Sequence, residues 1–377
     1  MNNHFFKIFI LIISLFLLLS YTTKKITYDW DLPAYVGCIF QLDGYNDADV
    51  HQKTYQLLKI KASKADYYHI TFSEASGYRQ SMSVDSHYFR QQLPYYQVKV
   101  LYLGVVQFLT LFNINSIDAI YLINFGSIFL LGILMFYVLN TGYEMAFFTS
   151  LAITLAIIYG FQLLELYQNA SPDLLSSLLF VTVFWSVIAN KNFWFQMFLL
   201  SLLILVRPDS IVFSLLFIIF CGYVHSVKSV AILMAIITSF LLYFSIVKFF
   251  HYPGWGDLFY DSFIERRIDL ADKADFTWST YLKITLNQLL NFKKISAVLI
   301  LLLFINVAKS YFFGLPKKYL LLSLLLVTCT FVKFLLFPSV EIRFHLPFIL
   351  LLILIAVKPS DKNGFVFFKP LWARAIR

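Results

Sequence analysis

Apolar stretches recur along this chain at about 5–21, 98–112, 117–139, 145–164, 174–190, 193–206, 210–224, 229–250, 295–308, 319–337 and 345–357. Short polar segments separate most of them. Two longer polar regions interrupt the series, one after residue 21 and one at 251–293. A helix needs roughly 20 apolar residues to cross a bilayer, so the pattern predicts a helical protein threaded repeatedly through a membrane. The shorter stretches are expected to tilt or to lie among protein neighbours. The first stretch carries a single charge, Lys7, and Ser20-Tyr21-Thr22-Thr23 offers no small-x-small cleavage site. It reads as a retained first transmembrane helix.

Charge orients the series. The C-terminal tail holds Lys358, Lys362, Lys369, Arg374 and Arg377, and a second basic group holds Lys309, Lys317 and Lys318. Basic loops stay on the cytoplasmic side, and these two lie two spans apart, so they agree. Counting backwards places 338–344, 251–293, 207–209 and 165–173 outside, and 225–228, 190–192 and 140–144 inside. The stretch 98–112 contains Lys99 and Gln107. Placed in the membrane interface, it leaves the whole of 22–116 outside, although the doublet Lys24-Lys25 argues the other way. The expectation is an all-α polytopic membrane protein with about ten transmembrane helices and both termini cytoplasmic. It forms one membrane domain over 1–377, with extracytoplasmic loops 22–116 and 251–293 carrying juxtamembrane helices, and a cytoplasmic tail at 358–377. In the first loop, Asn46-Asp47-Ala48-Asp49 is placed to cap a helix running through Leu57-Leu58-Lys59. In the second, Tyr281, Ile284, Leu286, Leu289 and Leu290 predict an apolar helical face lying on the membrane. Neither loop reads as an independently folded domain.

Composition sharpens this picture. Hydrophobic residues make up 60% of the chain and charged residues 14%, against about 25% charged in soluble domains. The mean hydropathy of +0.74 leaves no room for a soluble class. The net charge of +9 is spread over loops and tail, so no nucleic-acid partner is expected. Cys38, Cys221 and Cys329 are too far apart for a disulfide framework or a metal-binding cysteine motif, and read as buried thiols.

Candidate chemistry gathers in five short segments, which this topology puts on one side. They are Asp29-Trp30-Asp31, Arg90 to Tyr96, Asn169-Ala170-Ser171-Pro172-Asp173, Val206-Arg207-Pro208-Asp209, and Glu341 to Pro347. Ionisable groups next to a bilayer are costly unless they pair or face a polar cavity. A helix-starting proline beside a polar loop residue accounts for any one segment alone. Convergence of all five on one face points to a site.

The stretch Asp31-Leu32-Pro33-Ala34-Tyr35, directly after the first helix, resembles the Asp-x-Pro-x-Tyr first-loop motif of GT-C glycosyltransferases. Leu93-Pro94-Tyr95-Tyr96 is similar to the proline-aromatic start of a juxtamembrane helix in that superfamily. Ser171-Pro172-Asp173 resembles its second-loop acidic motif, and Arg343 with Pro347 the basic-then-proline start of a late helix. The resemblance implies a transferase in the cytoplasmic (inner) membrane, with its site facing the extracytoplasmic side. It would move a sugar from a polyprenyl-phosphate donor to a glycan, lipid or protein acceptor. Asp31 or Asp29 is then the catalytic carboxylate, and Asp173 and Tyr35 support the acceptor or a metal. Arg207 and Arg343 bind the donor phosphate. A divalent metal ion stays open as cofactor, with Asp31 and Asp173 its candidate ligands. His345 reads as a packing residue, and Asp85, His87 and Glu165 are weaker candidates, because loops of this polarity contain such residues anyway. Unlike many GT-C members, the sequence shows no large C-terminal soluble region, so acceptor recognition is expected in 22–116 and 251–293. The rival readings are a transporter or flippase of a lipid-linked glycan, a surface-polysaccharide polymerase, and a non-catalytic scaffold.

Overall fold

The structure, a computed structural model, describes residues 2–22, 26, 28–72, 77–160 and 163–359. The basic tail from residue 360 and the doublet Lys24-Lys25, both used above for orientation, lie outside the described residues. Among the described residues every regular element is helical and none is a strand. Four helices are long and apolar enough to cross a membrane: Ser116–Gly142, Ser229–Phe249, Lys293–Phe312 and Lys317–Leu336. Shorter apolar helices occupy the other apolar stretches, among them Phe147–Gly160, Asp173–Ile188, Phe193–Val206 and Leu346–Val357. The all-helical membrane architecture therefore holds, with four full-length candidate spans where the sequence predicts about ten. The 12 residues of Leu346–Val357 rise about 18 Å, well short of a hydrocarbon core of roughly 30 Å.

The short helix Leu346–Val357 is apolar all round, which marks it as central. It packs against Asp173–Ile188, Lys293–Phe312 and Lys317–Leu336, and is buried from Leu346 through Ile355. The outer helices behave differently. Only 17% of the apolar window is buried in each of Ser229–Phe249 and Lys293–Phe312, so most of their apolar surface faces outward. That distribution suits a surrounding of lipid.

Residues of the first loop form a second core together with the start of Ser116–Gly142 and Ala170. Leu32–Leu42 buries Leu32, Tyr35, Val36, Cys38 and Ile39 against Asp47–Lys61 and Val100–Thr110. Phe89 lies so close to Gly37 that a Cβ there would sit 2.6 Å from its Cζ, which explains a glycine in mid-helix. The expected cap is present: Asn46 accepts from the backbone N–H of Asp49 and opens the helix Asp47–Lys61. The stretch 98–112 holds a single helix, Val100–Thr110, whose 11 residues rise about 16 Å, well short of a full span. All three cysteines are buried and free.

The second loop contributes the helices Trp255–Phe263 and Trp278–Asn291. Trp255 Nε1 donates to the Leu336 carbonyl and Tyr281 Oη to that of Leu335, each at 2.6 Å. These bonds satisfy carbonyls that the end of Lys317–Leu336 would otherwise leave open. Trp278, Leu282, Leu286, Leu289 and Leu290 remain exposed on Trp278–Asn291. The two loops are stitched together: Tyr95 Oη donates to Asp261 at 2.6 Å, and Leu270 N donates to Gln91 at 2.6 Å. Asp261 also takes the Arg267 Nε at 2.7 Å, and Asp257 takes the same guanidinium at 2.9 Å.

Candidate functional site

The ends of several apolar helices meet beneath these loops. Asp173–Ile188 and Ile211–Val224 begin there, while Phe193–Val206, Ser229–Phe249 and Lys317–Leu336 end there. They enclose a cavity of about 350 Å³. All five charged segments singled out in the sequence contribute to its lining: Trp30 and Asp31, Tyr95 and Tyr96, Ser171 to Asp173, Arg207 to Asp209, and Arg343 with Phe344. Of the expected site residues, Asp31, Tyr35, Asp173, Arg207 and Arg343 line the cavity. Asp29 does not.

Asp31 accepts from Tyr96 Oη at 2.6 Å. Proline at the second position of Leu32–Leu42 sets the helix start, so Asp31 occupies its N-cap with a carboxylate facing the cavity rather than its own backbone. Asp29 turns the other way. One of its oxygens accepts from Leu32 N at 3.0 Å and the other from Ala170 N at 2.8 Å. It ties the first loop to the segment that carries Asp173. Burial, and next to it the charge of Asp31, hold the Asp29 carboxyl above the ordinary carboxylate range.

The cavity divides by how its charges are engaged. Arg207 pairs with Asp173, and its Nε lies 3.0 Å from Asp209. Lys333 pairs with the other oxygen of Asp209 at 2.9 Å. This four-membered network joins the ends of three helices. Arg343 pairs with the exposed Glu341 at 2.6 Å. On the other side, Lys99 donates to Tyr35 Oη at 2.6 Å and lies over the Tyr35 and Tyr96 rings, 4.7 and 4.5 Å from their centroids. Burial lowers its ammonium to about 8, an effect that Asp31 partly offsets. Arg266 donates to Tyr78 Oη at 2.8 Å and to Gln92 Oε1 at 3.1 Å.

Five cationic side chains (Lys99, Arg207, Arg266, Lys333, Arg343) thus face three carboxylates (Asp31, Asp173, Asp209) across one space. A surplus of positive charge in a half-enclosed cavity favours an anionic ligand. The donor set does not suit the divalent metal left open above. Asp173 is occupied by Arg207, and no group of three or more His, Cys, Asp or Glu side chains converges among the described residues.

Sequence reasoning passed over four participants. Lys99 and Lys333 stand as lone charges inside apolar runs, a signal that marks their depth without naming their partners. Asp209 and Arg266 lie in segments that were noticed without being assigned. His345 is buried, its Nε2 3.0 Å from the Ser339 carbonyl and its ring against Phe292, as befits a packing residue. Asp85 caps a helix by accepting from His87 N at 2.8 Å.

Neither a known protein family, nor a curated protein, nor a solved structure matches this chain.

Proposed function

We propose that this protein is a GT-C-like membrane glycosyltransferase. It has about ten spans, both termini in the cytoplasm, and its cavity opens to the outer face of the cytoplasmic membrane. The donor is a sugar linked to a polyprenyl phosphate, and the acceptor is an extracytoplasmic glycan, lipid or protein. The observation that supports this reading most directly is the meeting of Asp31 with a cationic group at the ends of apolar helices.

In the reaction, an acceptor hydroxyl attacks the anomeric carbon of the donor sugar. Asp31 takes the hydroxyl proton as the new C–O bond forms. The old bond between the anomeric carbon and the phosphate oxygen breaks, and its electron pair stays with the phosphate. Arg207, Lys333 and Arg343 stabilise the charge that grows there. Asp173 and Asp209 hold Arg207 in place, so the guanidinium needs little reorganisation as that charge develops. Tyr96, by donating to Asp31, fixes the orientation of the base.

The test is transfer of a labelled sugar from synthetic polyprenyl-phosphate donors by purified protein in detergent. Release of polyprenyl phosphate with formation of a new glycoside is the expected result. Movement of intact lipid-linked glycan across liposomes, with no bond broken in any donor of a broad panel, would establish a transporter or flippase instead.

A further inference from the structure

Arg266 and Arg267 are neighbours with opposite commitments. Arg267 is consumed by the fold: Asp261, Asp257 and the Asp272 carbonyl take its donors. Arg266 faces the cavity, and among the described residues it has no carboxylate partner. Its guanidinium lies 5.3 Å from the Trp30 ring centroid, 4.7 Å from that of Tyr78 and 5.5 Å from that of Tyr95. Three aromatic rings hold a cation in place without cancelling its charge. Its Nε is buried and unpaired, and so is Nε2 of Gln92, whose Oε1 accepts from the same guanidinium. Held in this way at the cavity wall, the guanidinium offers its charge to an anion that enters the cavity. Among the described residues, Lys99 likewise bonds a hydroxyl and lies over two rings without pairing directly with a carboxylate, although the charges of Asp31 and Asp209 reach it.

We propose that Lys99 and Arg266 form a second anion subsite, which receives an acceptor bearing its own phosphate or carboxylate. The assignment to the acceptor rests on the transferase reading above. It follows from the walls of the cavity. Arg207, Asp209 and Lys333 sit with Ile211, Val212, Tyr243, Val247 and Leu336 at the ends of apolar helices, where a phosphate on a lipid tail comes to rest. Lys99 and Arg266 sit with Trp30, Tyr35, Tyr95 and Tyr96, all from the two loops, where a water-borne or headgroup-borne group enters. Asp31 lines the same cavity, held by Tyr96, and its charge reaches Lys99. An acceptor held by its anion on the loop side presents its hydroxyl to Asp31 and to a donor on the membrane side.

Calorimetric titration of the purified, detergent-solubilised protein tests this. Glycerol 3-phosphate and glucuronate probe the two anion chemistries, glucose is the neutral control, and a short polyprenyl phosphate reports on the donor side. The wild-type protein should bind at least one of the two anions more tightly than glucose. Arg266→Met should weaken that anion by about tenfold to a hundredfold, as expected for a lost charge-assisted contact, and leave polyprenyl phosphate affinity unchanged. Arg266→Lys should recover part of the loss. Lys99→Met, which leaves the aromatic box intact, provides an independent reading should Arg266→Met fail to fold. Unchanged anion affinity in both Lys99→Met and whichever Arg266 variant folds overturns the proposal. So does a loss of polyprenyl phosphate rather than of the small anion. Anion binding that depends on Arg266, with no transfer from any donor, would sink the transferase reading and leave the subsite standing.

Discussion

Arg207, at the end of one apolar helix, closes on the carboxylate of Asp173, at the start of another, and both side chains are largely shielded from solvent. Asp173 has no other cationic partner among the described residues, whereas Asp209 is shared between Arg207 and Lys333. The two carboxylates therefore respond differently to loss of the arginine.

Arg207→Ala should destabilise the protein by about 3–5 kcal/mol, because it leaves the buried Asp173 charge uncompensated. Arg207→Ala combined with Asp173→Asn should recover much of that stability but not turnover. Denaturation in detergent, read by tryptophan fluorescence, checks the first statement. Sugar transfer from a polyprenyl-phosphate donor checks the second. Equal stabilities of the single and double variants would show that the pair contributes little to the fold.

Asp31 and Asp29 should separate chemistry from architecture. Asp31→Asn is expected to lower turnover by about 10²–10⁴-fold while the melting profile stays close to wild type. Asp29→Asn keeps one acceptor oxygen but loses the other, so it should destabilise by about 1–3 kcal/mol and reduce turnover far less. Near-normal transfer by Asp31→Asn would move the base elsewhere.

Lys99 gives the site a pH dependence. Facing it are Tyr35, Tyr96, Asp31, Arg207, Asp209 and Cys38. Its ammonium is lowered to about 8 from 10.5, so the folded protein releases this proton before the unfolded chain does. Between those values the unfolded state binds more protons, and this group makes stability rise with pH. Affinity for an anion should fall over the same rise, from about pH 8 upward, as the positive charge is lost. Lys99→Arg should remove that fall, since a guanidinium stays charged. Titration of anion binding between pH 7 and 10 decides the matter, and an unchanged profile in Lys99→Arg would assign the dependence to another group.

Topology is open to direct measurement. Lys59→Cys and Lys273→Cys occupy exposed positions in the two loops, and Lys228→Cys an exposed turn between apolar helices. The three native cysteines are buried and should stay silent. An impermeant thiol reagent applied to intact cells should label the first two and reach Lys228→Cys only after permeabilisation. The reverse pattern would invert the molecule in the membrane.

Much of the candidate site was legible because charge beside an apolar run is hard to explain otherwise. Asp31, Asp173, Arg207 and Arg343 declared themselves by position alone. What stayed hidden depends on direction. Asp29 and Asp31 are two residues apart and alike in type, yet one caps backbone amides across a loop contact and the other faces the cavity. Arg266 and Arg267 are adjacent and chemically identical, and only the placement of Asp261, Asp257, Tyr78 and Trp30 tells them apart. Lys99 and Lys333 look like signposts of helix ends, because a one-dimensional pattern records their depth but not their neighbours. The helical class followed from periodicity and composition. The number of full-length spans did not, since a buried helix can stop short where protein replaces lipid around it.

The 12-residue helix Leu346–Val357 at the centre and the 20- and 21-residue helices Lys293–Phe312 and Ser229–Phe249 at the periphery make a molecule of two hydrophobic thicknesses. The outer helices match a bilayer, and the inner one matches only its protein surroundings. Elastic strain from a thicker or thinner membrane then falls first on the lipid-facing sides of the outer helices, and reaches the short centre only through the helices packed around it. Changing membrane thickness should therefore alter how a lipid substrate passes the outer helices more than it alters the geometry around Asp31.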